Sequence, residues 1–162
     1  MTKDLPLVVA AVVMLCFGAH AQNKYEIIPR DSITNKYCYQ AMSTELPATK
    51  EELRDKFSRW TKQNYDSLNS KYTKLSEDGD SYSIHDREAL PGKARKFVEY
   101  DLTVDFKEHR YRYTLTDLQY AAVGMYALED KMATHKRSDL EEIDVILRRI
   151  VASLEAALKS DW

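Results

Sequence analysis

The residues best suited to chemistry in this sequence lie together in the run His85-Asp86-Arg87-Glu88, where an imidazole adjoins two carboxylates. A histidine beside a carboxylate is a common pairing for general acid–base catalysis, so the run is a candidate for hydrolytic chemistry. On a β-strand, however, His85 and Arg87 project to one face of the sheet, while Asp86 and Glu88 project to the other. The four side chains therefore cannot converge on one metal ion without distortion of the strand.

The remaining candidate acids, bases and ligands are scattered along the chain. His109 falls in a turn, His135 precedes a basic pair, and the acidic run at 77–80 has the composition of a calcium loop without its remaining ligands. The sequence holds no G-x-S-x-G motif, phosphate-binding loop or dinucleotide fingerprint. We therefore predict solvated side chains at these positions, with no catalytic residues, no bound metal and no cofactor.

The first 21 residues have the pattern of a secretory signal peptide. Lys3 lies in a short head, an apolar run follows over residues 5–18, and small residues at 19 and 21 precede the expected cleavage site. This run is shorter than the about 20 residues of a membrane-spanning helix, so we predict no transmembrane segment after cleavage. An uncleaved anchor is the alternative. Cleavage would leave one domain in the periplasm or cell envelope, with Cys38 as its single cysteine and a buried strand position expected for it.

The charge of the chain argues against a nucleic-acid partner. The 24 Lys and Arg residues and 26 Asp and Glu residues give a formal net charge of −2 at pH 7. A chain with so little net charge lacks the strong positive field that attracts phosphates. We therefore predict that the protein does not bind DNA or RNA.

Residues 96–120 contain the strongest structural pattern, two alternating strands joined by a short charged turn. Apolar side chains take every second position over 98–106, and mostly polar side chains take the positions between them. A turn of two or four residues around Glu108 and His109 places side chains of matching character opposite each other across the two strands. The predicted pairs are Phe106 with Tyr111, Val104 with Tyr113, Leu102 with Leu115, Asp105 with Arg112 and Thr103 with Thr114. The alternation breaks at Asp117, where we predict a bulge or the strand end.

Two amphipathic helices flank these strands. The first begins at Thr49, which forms a predicted capping box with Glu52. Its inward positions at helical spacing are Leu53, Phe57, Trp60, Asn64 and Leu68. The second helix spans 139–160, with Ser138 and Glu141 as another predicted capping box. Its apolar stripe consists of Leu140, Ile143, Ile146, Leu147, Ile150, Leu154 and Leu158.

The other segments are assigned from shorter patterns. We expect an exposed lead-in over residues 22–35 and a loop or short helix over 121–137. Further strands are predicted over residues 36–42, 72–75 and 82–90. A turn at 77–80 separates the last two of these strands.

The order of elements predicts a two-layer α+β domain over residues 36–162. One antiparallel sheet of about four to five strands should bury its apolar face under both helices, because each amphipathic element needs a partner for its apolar side. The other face should meet solvent or a partner. The candidate ligand or partner surface consists of Glu99, Asp101, Asp105, Arg110, Arg112, Tyr37 and Tyr39.

The sequence FKEHRYRYTLTDLQY at 106–120, the Tyr-rich first strand and the helix with Phe57 and Trp60 together resemble secreted bacterial domains of unknown function with a TBP-like fold. The resemblance covers about residues 36–120. Members usually have a glycine in the turn where this chain has Glu108-His109. The resemblance implies a curved antiparallel sheet with helices on its convex side, and it carries no catalytic residue onto this chain.

The sequence thus predicts an exported, non-enzymatic binding or interaction module of the periplasm or cell envelope. Its partner would be an unknown envelope protein or a small ligand. One alternative is an envelope hydrolase that uses His85 or His109 with neighbouring acids. The other is a structural assembly protein that pairs with another chain through the stripe of the C-terminal helix.

Overall fold

The structure is a computed structural model that describes residues 27–65, 68, 70–130 and 137–160. The predicted signal peptide at 1–21 and His135 lie outside the described residues. In chain order the elements are β1 (Tyr39–Met42), α1 (Lys50–Asn64), β2 (Lys74–Asp78), β3 (Ser81–Ala89), β4 (Phe97–Lys107), β5 (Arg110–Ala121), β6 (Met125–Ala127) and α2 (Arg137–Lys159). The α+β class is confirmed.

All six of these strands form one antiparallel sheet in the order β1-β5-β4-β3-β2, with β6 paired to the far part of β5. The β4–β5 hairpin has the predicted register, with Val104 opposite Tyr113. Its turn has two residues, because Lys107 pairs with Arg110. His109 adopts a φ of 61° but Glu108 has no positive φ. The turn is therefore not of type I′, which needs positive φ at both central positions.

The predicted irregularity at Asp117 is a β-bulge. Opposite the single residue Tyr100 of β4, strand β5 places two residues, Asp117 and Leu118. Asp117 has a left-handed φ of 50°. The extra residue shifts the alternation by one, so that Leu118 and Tyr120 stay on the buried side of the sheet.

Helix α1 packs on the apolar face of the sheet. The capping box between Thr49 and Glu52 is present, and the ring of Phe57 lies 5.6 Å from the ring of Phe106 in β4. Asn64 is exposed, so this predicted inward position is wrong. Leu68 lies beyond the helix end but is half-buried and packs against the core, so its inward position is confirmed and its place in the helix is wrong. The helix stops too early for the stripe to continue, because Tyr65 is its extended C-cap.

Helix α2 packs beside α1 on the same face. The indole Nε1 of Trp60 donates a 2.9 Å hydrogen bond to Oγ of Ser153, which joins the two helices. The predicted stripe of α2 is buried, apart from the half-buried Leu140. A role in pairing with another chain through this stripe is therefore contradicted, because the stripe already contacts its own domain.

Several smaller predictions need correction. The second capping box is wrong, because α2 begins at Arg137 and Ser138 lies inside it. The segment after β5 forms β6 rather than a loop or short helix, which raises the strand number to six. Within the lead-in, Ile28 is only 2 % exposed, because it packs into the core. Cys38 is buried as predicted, and within the described part of the chain no helix is long and apolar enough to cross a membrane.

Candidate functional site

The candidate site is the set of strand side chains that point away from the helices, which we call the open face. Strand register arranges these side chains in rows across the sheet. The middle row is neutral and polar, and it consists of Ser76, Ser83, Thr103, Thr114 and Gln40. Oγ of Ser83 and Oγ1 of Thr103 lie 3.1 Å apart within it. We call this middle row the hydroxyl row. Rows that contain charged side chains flank it on both sides.

One flanking row holds the histidine that the sequence singled out. Nδ1 of His85 lies 2.7 Å from Oδ1 of Asp101 on the neighbouring strand, and Nε2 lies 4.0 Å from Oε2 of Glu99. As the alternation predicts, the neighbouring carboxylate Asp86 faces the helices instead. The register places Glu99 on the open face as predicted, but its expected exposure is wrong, since it is only 8 % exposed. Arg87 of β3 and Gln119 of β5 lie directly beside it in the sheet.

Arg87 of the open face lies between two aromatic rings. Its guanidinium carbon is 3.2 Å from the ring centroid of Tyr72 and 4.6 Å from that of Phe97. A hydrogen bond from Lys71 and the charge of Arg87 lower the pKa of the Tyr72 hydroxyl. This stacked arginine provides a flat, partly desolvated cation at the edge of the open face.

The hairpin end of the open face brings together three predicted residues. Arg112 donates from Nε and Nη2 to Oδ2 of Asp105, at 3.0 and 2.7 Å. Although burial opposes the effect, these bonds and one from Ser81 hold the pKa of Asp105 below its ordinary value. Arg110 lies 3.8 Å from Glu45. A shallow hollow of about 210 Å³ is lined by Met42, Asp105, Lys107, Arg110, Tyr111 and Arg112.

The two predicted tyrosines do not belong to the open face. Tyr39 pairs with Leu115 on the helix side, is buried, and donates its hydroxyl hydrogen bond to the carboxylate of Asp144 in α2. Burial and this carboxylate raise the pKa of Tyr39. Tyr37 is half-buried and accepts a 2.6 Å hydrogen bond from Arg30. The prediction of a tyrosine surface is therefore wrong for Tyr39, because register places its ring under a helix.

The remaining histidine and acid candidates have local partners. Nδ1 of His109 lies 3.1 Å from the backbone oxygen of Ala48, which ties the hairpin turn to the start of α1. In the predicted acidic turn, Glu77 instead lies in β2 and pairs with Arg54 at 2.7 Å. Among the described residues, no three His, Cys, Asp or Glu side chains are arranged to hold a metal ion.

Sequence reasoning missed two polar clusters on the helix side. Asp139 in the first turn of α2 receives hydrogen bonds from Lys93 at 2.5 Å, Lys96 at 2.7 Å and the hydroxyl of Tyr120 at 2.6 Å. Asp86 receives a 2.6 Å hydrogen bond from Oγ1 of Thr73. The sequence did contain a sign of the Asp86 cluster, because the alternation of β3 places this acid on the side of the sheet that faces the core.

Comparison with known proteins agrees with the observed fold. Residues 47–121 match the family model described as "Domain of unknown function (DUF4468) with TBP-like fold". Residues 47–121 form a DUF4468 domain with a TBP-like fold. The match begins just before α1 of this DUF4468 domain and ends at the last residue of β5. Among the curated proteins, none matches the chain.

Two crystal structures share the fold of this DUF4468 domain. One is of a TBP-like protein from Parabacteroides distasonis, with 16% identity and a TM-score of 0.65, and the match covers 85% of this chain and 100% of that chain. The other is of a DUF4468 family protein from Bacteroides ovatus, with 12% identity and a TM-score of 0.63, and covers 85% and 93% respectively. At these identities the likeness concerns the fold alone.

Proposed function

We propose that this protein is an exported, non-enzymatic interaction module of the periplasm or cell envelope, and that a protein partner binds its open face. Export is supported by the apolar run and small-residue cleavage pattern of residues 1–21. Binding is supported by the one-sided architecture, in which both helices cover the same face of the sheet. The described residues leave the opposite face accessible to a partner.

The composition of the open face favours a protein as the partner. Met42 and Met125 are 66% and 54% exposed on this face, and Tyr72 is exposed beside the stacked Arg87. Methionine, tyrosine and arginine are the residue types enriched in protein interfaces. They lie on the two sides of the neutral hydroxyl row, which can hydrogen-bond to a partner without the cost of desolvating a charge.

The charges of the open face favour a reversible protein contact over a polyphosphate. Asp101 and Asp105 lie on the central strand, and each pairs with a neighbouring His85 or Arg112. Phosphate binding needs clustered, available Lys and Arg, whereas these acids repel a phosphate backbone. A surface with both signs of charge instead fits a partner with complementary charges and suits non-permanent association.

A pair of lysine substitutions tests the proposal. Thr103→Lys introduces a charge in the middle of the hydroxyl row, and Ala152→Lys introduces the same charge on the exposed side of α2. In a pull-down from an envelope extract of the native host, we expect Thr103→Lys to lose the partner that the unsubstituted chain and Ala152→Lys retain. Equal capture by both variants, or no specific capture by the unsubstituted chain, would refute the proposal.

The hydrolase alternative has one observation in its favour, the 2.7 Å contact between His85 and Asp101. This pair resembles a general base with an orienting carboxylate. However, the His85 side chain is 45% exposed on a sheet surface, outside the hollow at the hairpin end. The interaction role therefore explains more of the open face, and catalysis by His85 or His109 stays a prediction.

A further inference from the structure

A cavity on the helix side of the sheet lies between the end of α1, the middle of α2 and strands β3 and β4. Its volume is about 230 Å³, well above the about 10–15 Å³ that a cavity needs to hold one water molecule. Its lining includes the aromatic residues Trp60, Tyr65 and Tyr100, the amide of Asn64 and the carboxyl group of Glu88. The lining therefore combines aromatic side chains with one carboxyl group.

Glu88 has one described ion-pair partner, Arg149, which a ligand would have to displace. It lies on the helix-facing side of β3, and Nη2 of Arg149 is 3.6 Å from its Oε1. The Arg149 side chain is 65% exposed, so it contacts Glu88 from the solvent side of the cavity. Burial and the charge of Asp86 raise the pKa of Glu88, although Arg149 opposes them. The Glu88 side chain itself is 37% exposed, so a cation from solvent can reach it and pair with its carboxylate in place of Arg149.

Asp86 lies behind the cavity, already accepts hydrogen bonds, and helps to position the two tyrosine rings of the lining. Asp86 receives hydrogen bonds from Thr73 at 2.6 Å and from the hydroxyl of Tyr100 at 3.3 Å. The hydroxyl of Tyr65 lies 3.3 Å from that of Tyr100. This chain holds both rings in place before any ligand binds. The charge of Asp86 also makes the neighbourhood unfavourable for an anion.

We propose that this cavity binds a small organic amine, with its ammonium group on Glu88 and its carbon atoms against Trp60, Tyr65 and Tyr100. A carboxylate provides the ion pair, and aromatic faces attract the cation through their quadrupoles. The ligand would displace the side chain of Arg149, which now occupies the cation position. The site lies across the sheet from the open face, so it is independent of the proposed protein-binding role.

The experiment is a titration followed by nuclear magnetic resonance of the ¹⁵N-labelled chain with n-butylammonium chloride at pH 7. The indole N–H of Trp60 lies at the cavity wall through its bond to Ser153. A Trp162→Phe variant assigns its signal, because the chain has 2 Trp residues. We expect a saturable shift of the Trp60 signal with a millimolar dissociation constant, and no saturable shift with sodium butyrate.

Two variants connect the binding to the named residues. Glu88→Gln should weaken amine binding by about tenfold or more, because the ion pair is lost. Arg149→Ala should strengthen it by about threefold, because the competing cation is removed. Glu141→Gln, which changes an exposed carboxylate elsewhere on α2, should leave the dissociation constant unchanged. The Arg149→Ala result decides the matter if Glu88→Gln fails to fold.

Four results would overturn the proposal. The first is the absence of a saturable shift with the amine, and the second is equal or tighter binding of butyrate. The third is unchanged affinity in a folded Glu88→Gln variant, and the fourth is weaker amine binding in Arg149→Ala. None of these results bears on the open face, so they leave the proposed protein-binding role to its own test.

Discussion

Replacing Asp139 by Asn should destabilise the domain more than any other single removal of a negative charge among the described residues. Asp139 is 1 % exposed and accepts hydrogen bonds from two lysines and a tyrosine. Burial alone would raise the pKa of its carboxyl group, but the bonds from Lys93, Lys96 and Tyr120 hold that pKa well below its usual range. The cluster connects the β3–β4 loop and β5 to the first turn of α2.

The expected loss of stability follows from this burial. Removing one partner of a buried ion pair costs about 3–5 kcal/mol, because the remaining charge is left uncompensated. Lys93 and Lys96 have side chains that are 24% and 30% exposed, so water recovers part of their solvation. Asn also keeps one acceptor for Tyr120. We therefore expect the free energy of unfolding to fall by about 2–4 kcal/mol at pH 7.

Urea denaturation of the chain and of Asp139→Asn, followed by far-ultraviolet circular dichroism, measures this difference. The folded-state pKa of Asp139 is depressed, so its stabilising contribution is complete above the pKa of about 3.9 of an unfolded Asp. It is lost as the pH falls below that value toward the folded-state pKa. The stability gap between the two proteins should therefore be constant from pH 7 to about pH 5 and should narrow progressively below about pH 4.

The matched control is Asp55→Asn, the same chemical change at an exposed position of α1. It should alter the free energy of unfolding by less than about 0.5 kcal/mol. A loss for Asp139→Asn that equals the control, or a gap that stays constant into acid, would contradict the assignment of this cluster as a stabilising charge network.

Two further pairs of substitutions test the sidedness of the sheet and the start of α1. Val104→Asp places a charge in the core and should leave the chain unfolded at 25 °C, whereas Thr103→Asp on the open face should cost less than about 1 kcal/mol. Similar thermal melts for the two would contradict the register. Thr49→Ala should cost about 1 kcal/mol of unfolding free energy because it removes a helix cap, and Ser138→Ala, inside α2, should cost less than about 0.5 kcal/mol. Equal costs in urea denaturation would contradict the assigned helix starts.

Local sequence determined the central hairpin because the five predicted cross-strand pairs of β4 and β5 match in character, and a slip of one residue would mix the two faces. The break in the alternation at Asp117 likewise predicted the bulge. Strand β6 was not, since the three residues Met125–Ala127 are too few to show an alternation.

The burial of individual polar residues depended on contacts between distant segments. Glu99 occupies a polar position on the open face, but it lies between Arg87 of β3 and Gln119 of β5 and is buried. Tyr39 became a core residue through its pairing with Leu115, far along the chain. The alternation of β3 assigned Asp86 to the helix side, yet the cavity beside it depends on where the two helices meet, which no local pattern encodes.

The most direct test of the central claim, that a protein partner covers the open face, is photo-crosslinking in cells of the native host. A photo-reactive amino acid is placed at position 103 in the hydroxyl row or at position 152 on α2, and the chain is detected after irradiation. We expect an adduct of higher mass from position 103 and none from position 152. An adduct from position 152 alone, or from neither position, would contradict the claim.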